Sequence, residues 1–232
     1  MIERKKVLII IPAYNEQDNI LKTCKTLDKI KGIDYVVIND GSKDRTEQIL
    51  RENHIPHIEL IENLGIGGAV QTGYKYAEIE GYDIAVQFDG DGQHRAEDLE
   101  TVIQPLLEDK ADMSIGSRFV SSKKEGFRSS MMRRAGIKTI STAIKLKTHK
   151  RIYDTTSGYR AINRKLIKKF ANEYSSEYPE PISIVAALLN SCKIKEVPVT
   201  MLARGGGKSS IFLHKSVYYM INVVLQILIQ GK

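Results

Sequence analysis

The sequence predicts an α/β fold, a largely parallel sheet covered by helices on both faces, and three observations predict it. Short apolar runs alternate with helix-like segments through the first half of the chain. Each run is followed at once by a polar cluster. No repeat, low-complexity tract or Pro/Gly/Ser-rich linker divides the 232 residues. The runs Val7–Ile11, Tyr35–Ile38, His57–Ile61, Ile84–Phe88 and Met113–Ile115 are short and apolar enough to read as strands. Between them, Asn19–Ile30, Arg45–Arg51, Gly68–Glu80 and Glu97–Leu107 have the length and spacing of helices. After Ile115 the alternation gives way to a basic helical segment near Ser130–Lys147, a polar stretch Thr155–Asn163, helices at Arg164–Phe170 and Ile182–Asn190, and strands around Ile194–Leu202. The chain therefore divides into one domain, 1–212, and a C-terminal amphipathic helix, 213–232.

Composition narrows the setting. Cys24 and Cys192 are the two cysteines, far apart and without a CxxC or a nearby His pair, which argues against zinc and against a disulfide framework and for buried thiols in a reducing compartment. The apolar run before Pro12 is too short for a signal-peptide core, so a cytoplasmic protein is expected. The formal net charge is +7, but residues 120–151 hold ten Lys/Arg against Glu125, a local +9 that leaves the remainder slightly acidic. The basic character thus belongs to one surface, which calls for an anionic partner.

The chemistry-bearing residues fall just after the strands, at the carboxyl edge where open parallel sheets bind ligands. Pro12-Ala13-Tyr14-Asn15-Glu16 follows the first strand, Asn39-Asp40-Gly41-Ser42-Lys43-Asp44 the second, Asn63-Leu64-Gly65 the third, Asp89-Gly90-Asp91-Gly92-Gln93 the fourth and Gly116-Ser117-Arg118 the fifth. Any one of them could be an ordinary turn or helix cap; five at one edge favour a site. Asp89 and Asp91, with flanking glycines that permit a sharp turn, can face one point. Two such carboxylates suit Mg²⁺ or Mn²⁺ held jointly with a diphosphate. A dehydrogenase is disfavoured because Pro12–Glu16 occupies the place of the Gly-x-Gly-x-x-Gly loop, and a P-loop NTPase because Leu202 stands where the first glycine before Gly207-Lys208-Ser209 is required.

Taken in order, these clusters, together with His94, Asp154-Thr155-Thr156-Ser157-Gly158-Tyr159-Arg160 and Arg204 through Ser209, resemble family 2 glycosyltransferases of the dolichyl- and polyprenyl-phosphate mannose synthase-like branch. The resemblance covers nearly the whole chain and implies a GT-A fold, Rossmann-like with a mostly parallel sheet, a nucleotide-sugar donor and Mg²⁺ or Mn²⁺. It implies that Pro12, Tyr14, Glu16 and Asp40 contact the nucleoside and that Asp89, Asp91 and Gln93 hold the metal. It places Arg118, Arg204 and Lys208, with Ser209 beside them, on the donor diphosphate or the acceptor phosphate, where guanidinium forks give paired hydrogen bonds. The sequence departs from the branch at Asn39, where many relatives have Asp, and at Arg95-Ala96, which replaces a common Pro.

A polyprenyl phosphate is the expected acceptor, with undecaprenyl phosphate its bacterial form. A phosphate monoester, with a second pKa of about 6, is already a nucleophilic anion at neutral pH. A glycan acceptor would instead need a base, for which Asp154, Glu177 and Glu180 are available. The basic segment 120–151 and the apolar stretch Ser216–Ile229, too short at about 21 Å to span a bilayer, suggest peripheral association with the inner membrane face, alone or with a small integral partner; packing on the core is the alternative for the terminal helix. Nucleic acid would fit the charge but leaves the carboxylates at the sheet edge unexplained.

Overall fold

The computed structural model describes residues 5–120, 131–202 and 215–231; the side chains of 131–133 and 215–219 are outside the description. Strands β1 (Val7–Ala13), β2 (Asp34–Asn39), β3 (His57–Glu59), β4 (Ile84–Gln87), β5 (Met113–Ser117), β6 (Arg160–Asn163) and β7 (Ile194–Pro198) form one sheet in the order β3-β2-β1-β4-β6-β5-β7. Six strands run parallel, and β6 is antiparallel to both β4 and β5.

The side chains of β1 show how the layers are built. Successive residues point to opposite faces: Leu8 and Ile10 enter one core, Val7, Ile9 and Ile11 the other, and all are buried. The second core is closed by α1 (Ile20–Leu27), α2 (Thr46–Glu52) and α4 (Leu99–Leu107), through residues such as Cys24, Leu50 and Val102. The first is closed by α3 (Gly65–Ile79), α5 (Met131–Thr148), α6 (Arg164–Asn172), α7 (Pro179–Leu189) and α8 (Lys215–Ile229), through Tyr74, Ile144, Phe170, Ile184 and Ile227. Strands buried on both faces read as continuous apolar runs, which is why the sequence revealed the central ones. Both cysteines are buried free thiols, and burial raises the Cys24 pKa to about 12.

Two features place the site. The chain steps outward from β1 to β2 and β3, then returns to lay β4 on the other side of β1. That reversal opens a crevice between the ends of β1 and β4, the position where open α/β sheets bind ligands. Because β6 runs antiparallel, it is its entry, Asp154–Tyr159, that lies at the carboxyl edge of β4 and β5. A sixth cluster thereby joins the five that follow parallel strands.

The terminal helix α8 has two apolar faces. Val223 and Ile227 are fully buried in the core with α5 and α7, while Ile221, Leu225, Leu228 and Ile229, spaced along one stripe, are exposed. The inner face makes the helix part of the domain's core, not only an appendage to it. No described helix is long and apolar enough to cross a membrane.

Candidate active site

The loops after β1 and β2 are laced together by side chains that satisfy each other's backbone. The N–H groups of Asn15, Glu16 and Gln17 donate to Ser42 Oγ, Thr46 Oγ1 and Asp44 Oδ2 at 2.9, 2.9 and 3.2 Å. In return the Lys43 and Arg45 N–H groups donate to Asn15 Oδ1 and Gln17 Oε1 at 2.8 and 3.1 Å. Backbone polar groups that leave a sheet need such partners, and Asn15 takes the left-handed conformation, φ 55°, that short polar side chains tolerate. The lacing fixes Tyr14, 42% exposed, at the mouth of the crevice, with Pro12 buried beneath and Glu16 accepting from Asn19 Nδ2 at 3.0 Å.

Asp40 is almost sealed, 3% exposed, and its Oδ1 accepts the Leu64 N–H at 2.7 Å, holding the turn that opens α3. Burial raises its carboxyl pKa, while the Leu64 and Gly65 N–H groups pull it back down. Gly41, φ 64°, crosses within 3.0–3.1 Å of the Glu62 and Asn63 backbone, counted from where a Cβ would sit, so a side chain there would be both strained and blocked.

At the end of β4 the carboxylates of Asp89 and Asp91 stand over a layered support. The His94 ring is buried, stacked on Tyr159 at 4.7 Å between centroids and edge-on to Phe88 at 5.3 Å. Its Nδ1 accepts the Asp89 N–H at 3.0 Å, which leaves the proton on Nε2, 3.5 Å from Asp89 Oδ2. Burial pushes the imidazole pKa down to about 4, so the ring is neutral at physiological pH. Asp91 Oδ1 accepts the Gln93 N–H at 3.0 Å, closing the turn between them. Gln93 is tied in turn to Leu202, whose N–H donates to the Gln93 carbonyl at 2.9 Å and whose carbonyl accepts from Nε2 at 3.3 Å.

Behind Asp89 lie Gln87 and Arg160, to which sequence reading gave no role, and Glu180, named above as an available base. Gln87 Nε2 lies 3.4 Å from Asp89 Oδ1, and Arg160, fully buried, donates to the carbonyls of Ser157 and Glu180 and to Ser183 Oγ. Burial is the main cause that raises the Glu180 pKa, opposed by Arg160 and reinforced by Asp89. A Cβ on Gly158 would sit 2.8 and 2.9 Å from the Asp89 carboxylate oxygens and 3.1 Å from Gln87 Nε2, so only glycine leaves room for that carboxylate. The signal was present: Gly158 and Arg160 stand in the Asp154–Arg160 motif, but nothing local says that the strand after it runs backwards.

Arg118 is committed more deeply than its expected phosphate role requires. Its Nε and Nη2 donate to Asp154 Oδ2 and Oδ1 at 2.7 and 2.6 Å, its N–H donates to Oδ2 at 3.0 Å, and Nη2 also reaches Thr156 Oγ1 at 3.1 Å. The Asp154 side chain has no exposed surface and that of Arg118 only 9%. Asp154, named above as a reserve base, is thus the counter-ion of Arg118 and is not presented to an acceptor. Glu177 is exposed. Arg204, Lys208 and Ser209 lie outside the described residues.

The donor set suits a hard divalent cation: two carboxylates and the Gln93 side-chain amide come from one strand end, all three half-buried and reachable. Among the described residues no group of three or more His, Cys, Asp or Glu converges on one point.

This geometry defines a crevice at the carboxyl edge of the sheet with two accessible carboxylates, and comparison with known proteins supplies the class. Residues 8–170 match the glycosyl transferase family 2, and the chain belongs to that family: it is a glycosyltransferase. It is 34% identical over 200 residues to an uncharacterised protein of Methanocaldococcus jannaschii, covering 85% of this chain and 82% of that one. It is 32% identical over 214 residues to the UDP-N-acetylglucosamine–dolichyl-phosphate N-acetylglucosaminyltransferase of Methanococcus voltae, covering 84% and 85%. With the polyprenol monophosphomannose synthase of Mycolicibacterium smegmatis it shares 29% over 218 residues, covering 89% and 81%. The architecture is similar to glucosyl-3-phosphoglycerate synthase of Mycobacterium tuberculosis, solved with Mn²⁺, UDP and phosphoglyceric acid. The TM-score is 0.74, over 98% of this chain and 80% of that one, at 16% identity. The fold is GT-A.

Proposed function

We propose that the protein transfers a sugar from a nucleoside diphosphate sugar to a polyprenyl phosphate at the cytoplasmic face of a membrane, with Mg²⁺ or Mn²⁺ at Asp89, Asp91 and Gln93. The observation that carries the reading is the pair of accessible carboxylates at the β1/β4 crevice, backed by Gly158, where a side chain would displace the Asp89 carboxylate. The M. voltae and M. smegmatis relatives, named for dolichyl phosphate and polyprenol, support the acceptor class.

The metal, when bound, offsets charge growing on the departing diphosphate. The chain's own residues do the rest. Tyr14 offers an aromatic face at the crevice mouth, with Pro12, Glu16 and Asp40 shaping the nucleoside site around it. Neutral His94 holds the Asp89 backbone and keeps a second positive charge away from the carboxylate. Arg204 and Lys208, with Ser209, belong to the chain that continues from Leu202, which is bonded to Gln93; they are the phosphate-binding groups in this reading. An acceptor phosphate is ionised at neutral pH, so positioning it suffices.

The membrane face is formed by α5 and α8. Arg134, Lys138, Lys145 and Lys150 are exposed on or just after α5, Leu146 is 70% exposed, and Lys147 Nζ donates to the Leu228 carbonyl at 2.8 Å, which ties the end of α5 to α8. Cations beside apolar side chains suit an anionic lipid surface.

The test is transfer of radiolabel from a panel of nucleotide sugars to undecaprenyl phosphate in lipid, with Mg²⁺ or Mn²⁺. Label entering the organic phase from one donor, abolished by EDTA, is the expected result. Metal-dependent nucleotide binding without lipid labelling would redirect the acceptor to a glycan.

A further inference from the structure

We infer that Glu59 is a residue that reads the donor's base; this rests on the donor reading above. β2 and β3 are parallel neighbours with Asn39 opposite Glu59 in register. Asn39 has no exposed surface. Its Nδ2 donates to both Glu59 carboxylate oxygens, at 2.9 and 2.8 Å, and its Oδ1 accepts from the Ser42 hydroxyl and, at 3.4 Å, from the Ser42 N–H. One N–H of the amide is thereby shared between the two Glu59 oxygens and its own oxygen is taken up by Ser42, and with no exposed surface the side chain is closed to a ligand. Asp40, next in the chain, is 3% exposed and spends Oδ1 on the Leu64 N–H. Of these three polar side chains at the ends of β2 and β3, Glu59 is the one exposed.

This accounts for the amide at position 39. An Asp there would face the Glu59 carboxylate at hydrogen-bond distance, two like charges with no proton between them, whereas Asn supplies the N–H that holds Glu59 in place. The hold extends to the crevice. The Asn15 N–H donates to Ser42 Oγ, Ser42 donates to Asn39, and Asn39 donates to Glu59, so the carboxylate is fixed relative to Tyr14 one residue away. A carboxylate offers about four lone-pair sites and two are taken by Asn39. The remaining ones can only accept. Facing the N3 position of a pyrimidine or N1 of guanine, they select a ring N–H, as in uracil, thymine or guanine, and disfavour cytosine, whose N3 is itself an acceptor.

Glu59→Gln converts that edge. The amide oxygen can keep the Asn39 bond while the NH₂ turns outward, presenting a donor where an acceptor stood. The experiment is calorimetric titration of wild type and Glu59→Gln with UDP, GDP, dTDP, CDP and pyrophosphate, each with Mg²⁺. Whichever of the first three binds wild type most tightly should weaken about tenfold to a hundredfold in the variant, the loss for one charge-assisted hydrogen bond. CDP should tighten, and pyrophosphate should be unchanged. An unaltered base preference in the variant, wild-type affinity for CDP equal to that for the others, or a parallel loss of pyrophosphate would overturn the inference while leaving the donor reading in place. If wild type binds no nucleoside diphosphate at all, the donor reading fails and this inference with it.

Discussion

The β1–β2 side of the sheet edge and the α5–α8 side handle their polar and apolar residues in opposite ways. On the first, nearly every polar side chain is spent on backbone: Asn15, Gln17, Ser42, Asp44 and Thr46 cross-brace two loops, and Asn39 and Asp40 are sealed inside. On the second, cations stay in solvent and an apolar stripe of α8 is left exposed. Cross-bracing fixes a few atoms within tenths of an ångström, as recognition of a nucleotide requires. Exposed apolar area beside mobile cations fixes no particular atom and suits a partner that is itself a fluid surface. The two regions should therefore fail differently when mutated.

The largest effect is expected at the buried ion pair that bounds the rigid side. Asp154→Asn removes the charge opposite Arg118 while leaving the guanidinium enclosed. Breaking such a pair by one partner typically costs about 3–5 kcal/mol, to be read as a shift in the denaturant midpoint. A small change would mean that Arg118 finds solvent by moving out, in which case it is available for a phosphate.

Asp91→Ala comes next and should act on rate and donor binding, not on the fold. Asp91 is half-buried at a loop, so the fold should persist, while transfer falls about 10²–10³-fold, the loss typical of removing one electrostatic stabiliser of a transition state. The same substitution should weaken Mg²⁺-dependent nucleotide binding. Gly158→Ala tests the support beneath. A methyl group at 2.8–2.9 Å from the Asp89 oxygens must push the carboxylate aside, and a displacement of about 1 Å at a catalytic group costs about 10²-fold. Thermal unfolding of Gly158→Ala together with its rate distinguishes a displaced carboxylate from a damaged strand.

How far these contrasts could be read from the sequence depends on whether the determining contacts are local. Strands β1, β2 and β4 are apolar runs because both faces are buried, and their clusters follow at the carboxyl ends, so the crevice was legible from Val7–Glu16 and Ile84–Gln93. The run His57–Ile61 shortened to His57–Glu59 because β3 lies at the sheet edge and has one neighbour to pair with. Gly65–Gly67 joined the helix predicted from Gly68 because Asp40, 24 residues from Leu64, holds the turn before it. Asp154 read as a free acid because its partner is 36 residues away, and the antiparallel direction of β6 is a property of the sheet, not of Arg160–Asn163. Asn39 was visible as a departure, yet its reason lies on the neighbouring strand at Glu59.

The smallest effect separates the two faces of α8. Val223 is fully buried and Leu225 is 52% exposed, although both are aliphatic and two residues apart. Val223→Ala should cost about 2 kcal/mol of stability through lost packing and leave vesicle binding per folded molecule unchanged. Leu225→Ser should change stability by no more than about 0.5 kcal/mol. If the outer stripe enters lipid, however, that substitution forfeits the burial of one aliphatic side chain, about 1.5–3 kcal/mol, and partition onto anionic vesicles should fall at least about tenfold. Co-sedimentation with vesicles, at low and high salt, reads both contributions: salt weakens the part carried by Lys138 and Lys145, and Leu225→Ser removes a part that salt does not touch. Equal partition of wild type and Leu225→Ser would assign the stripe to a protein partner and leave membrane attachment to the cations of α5.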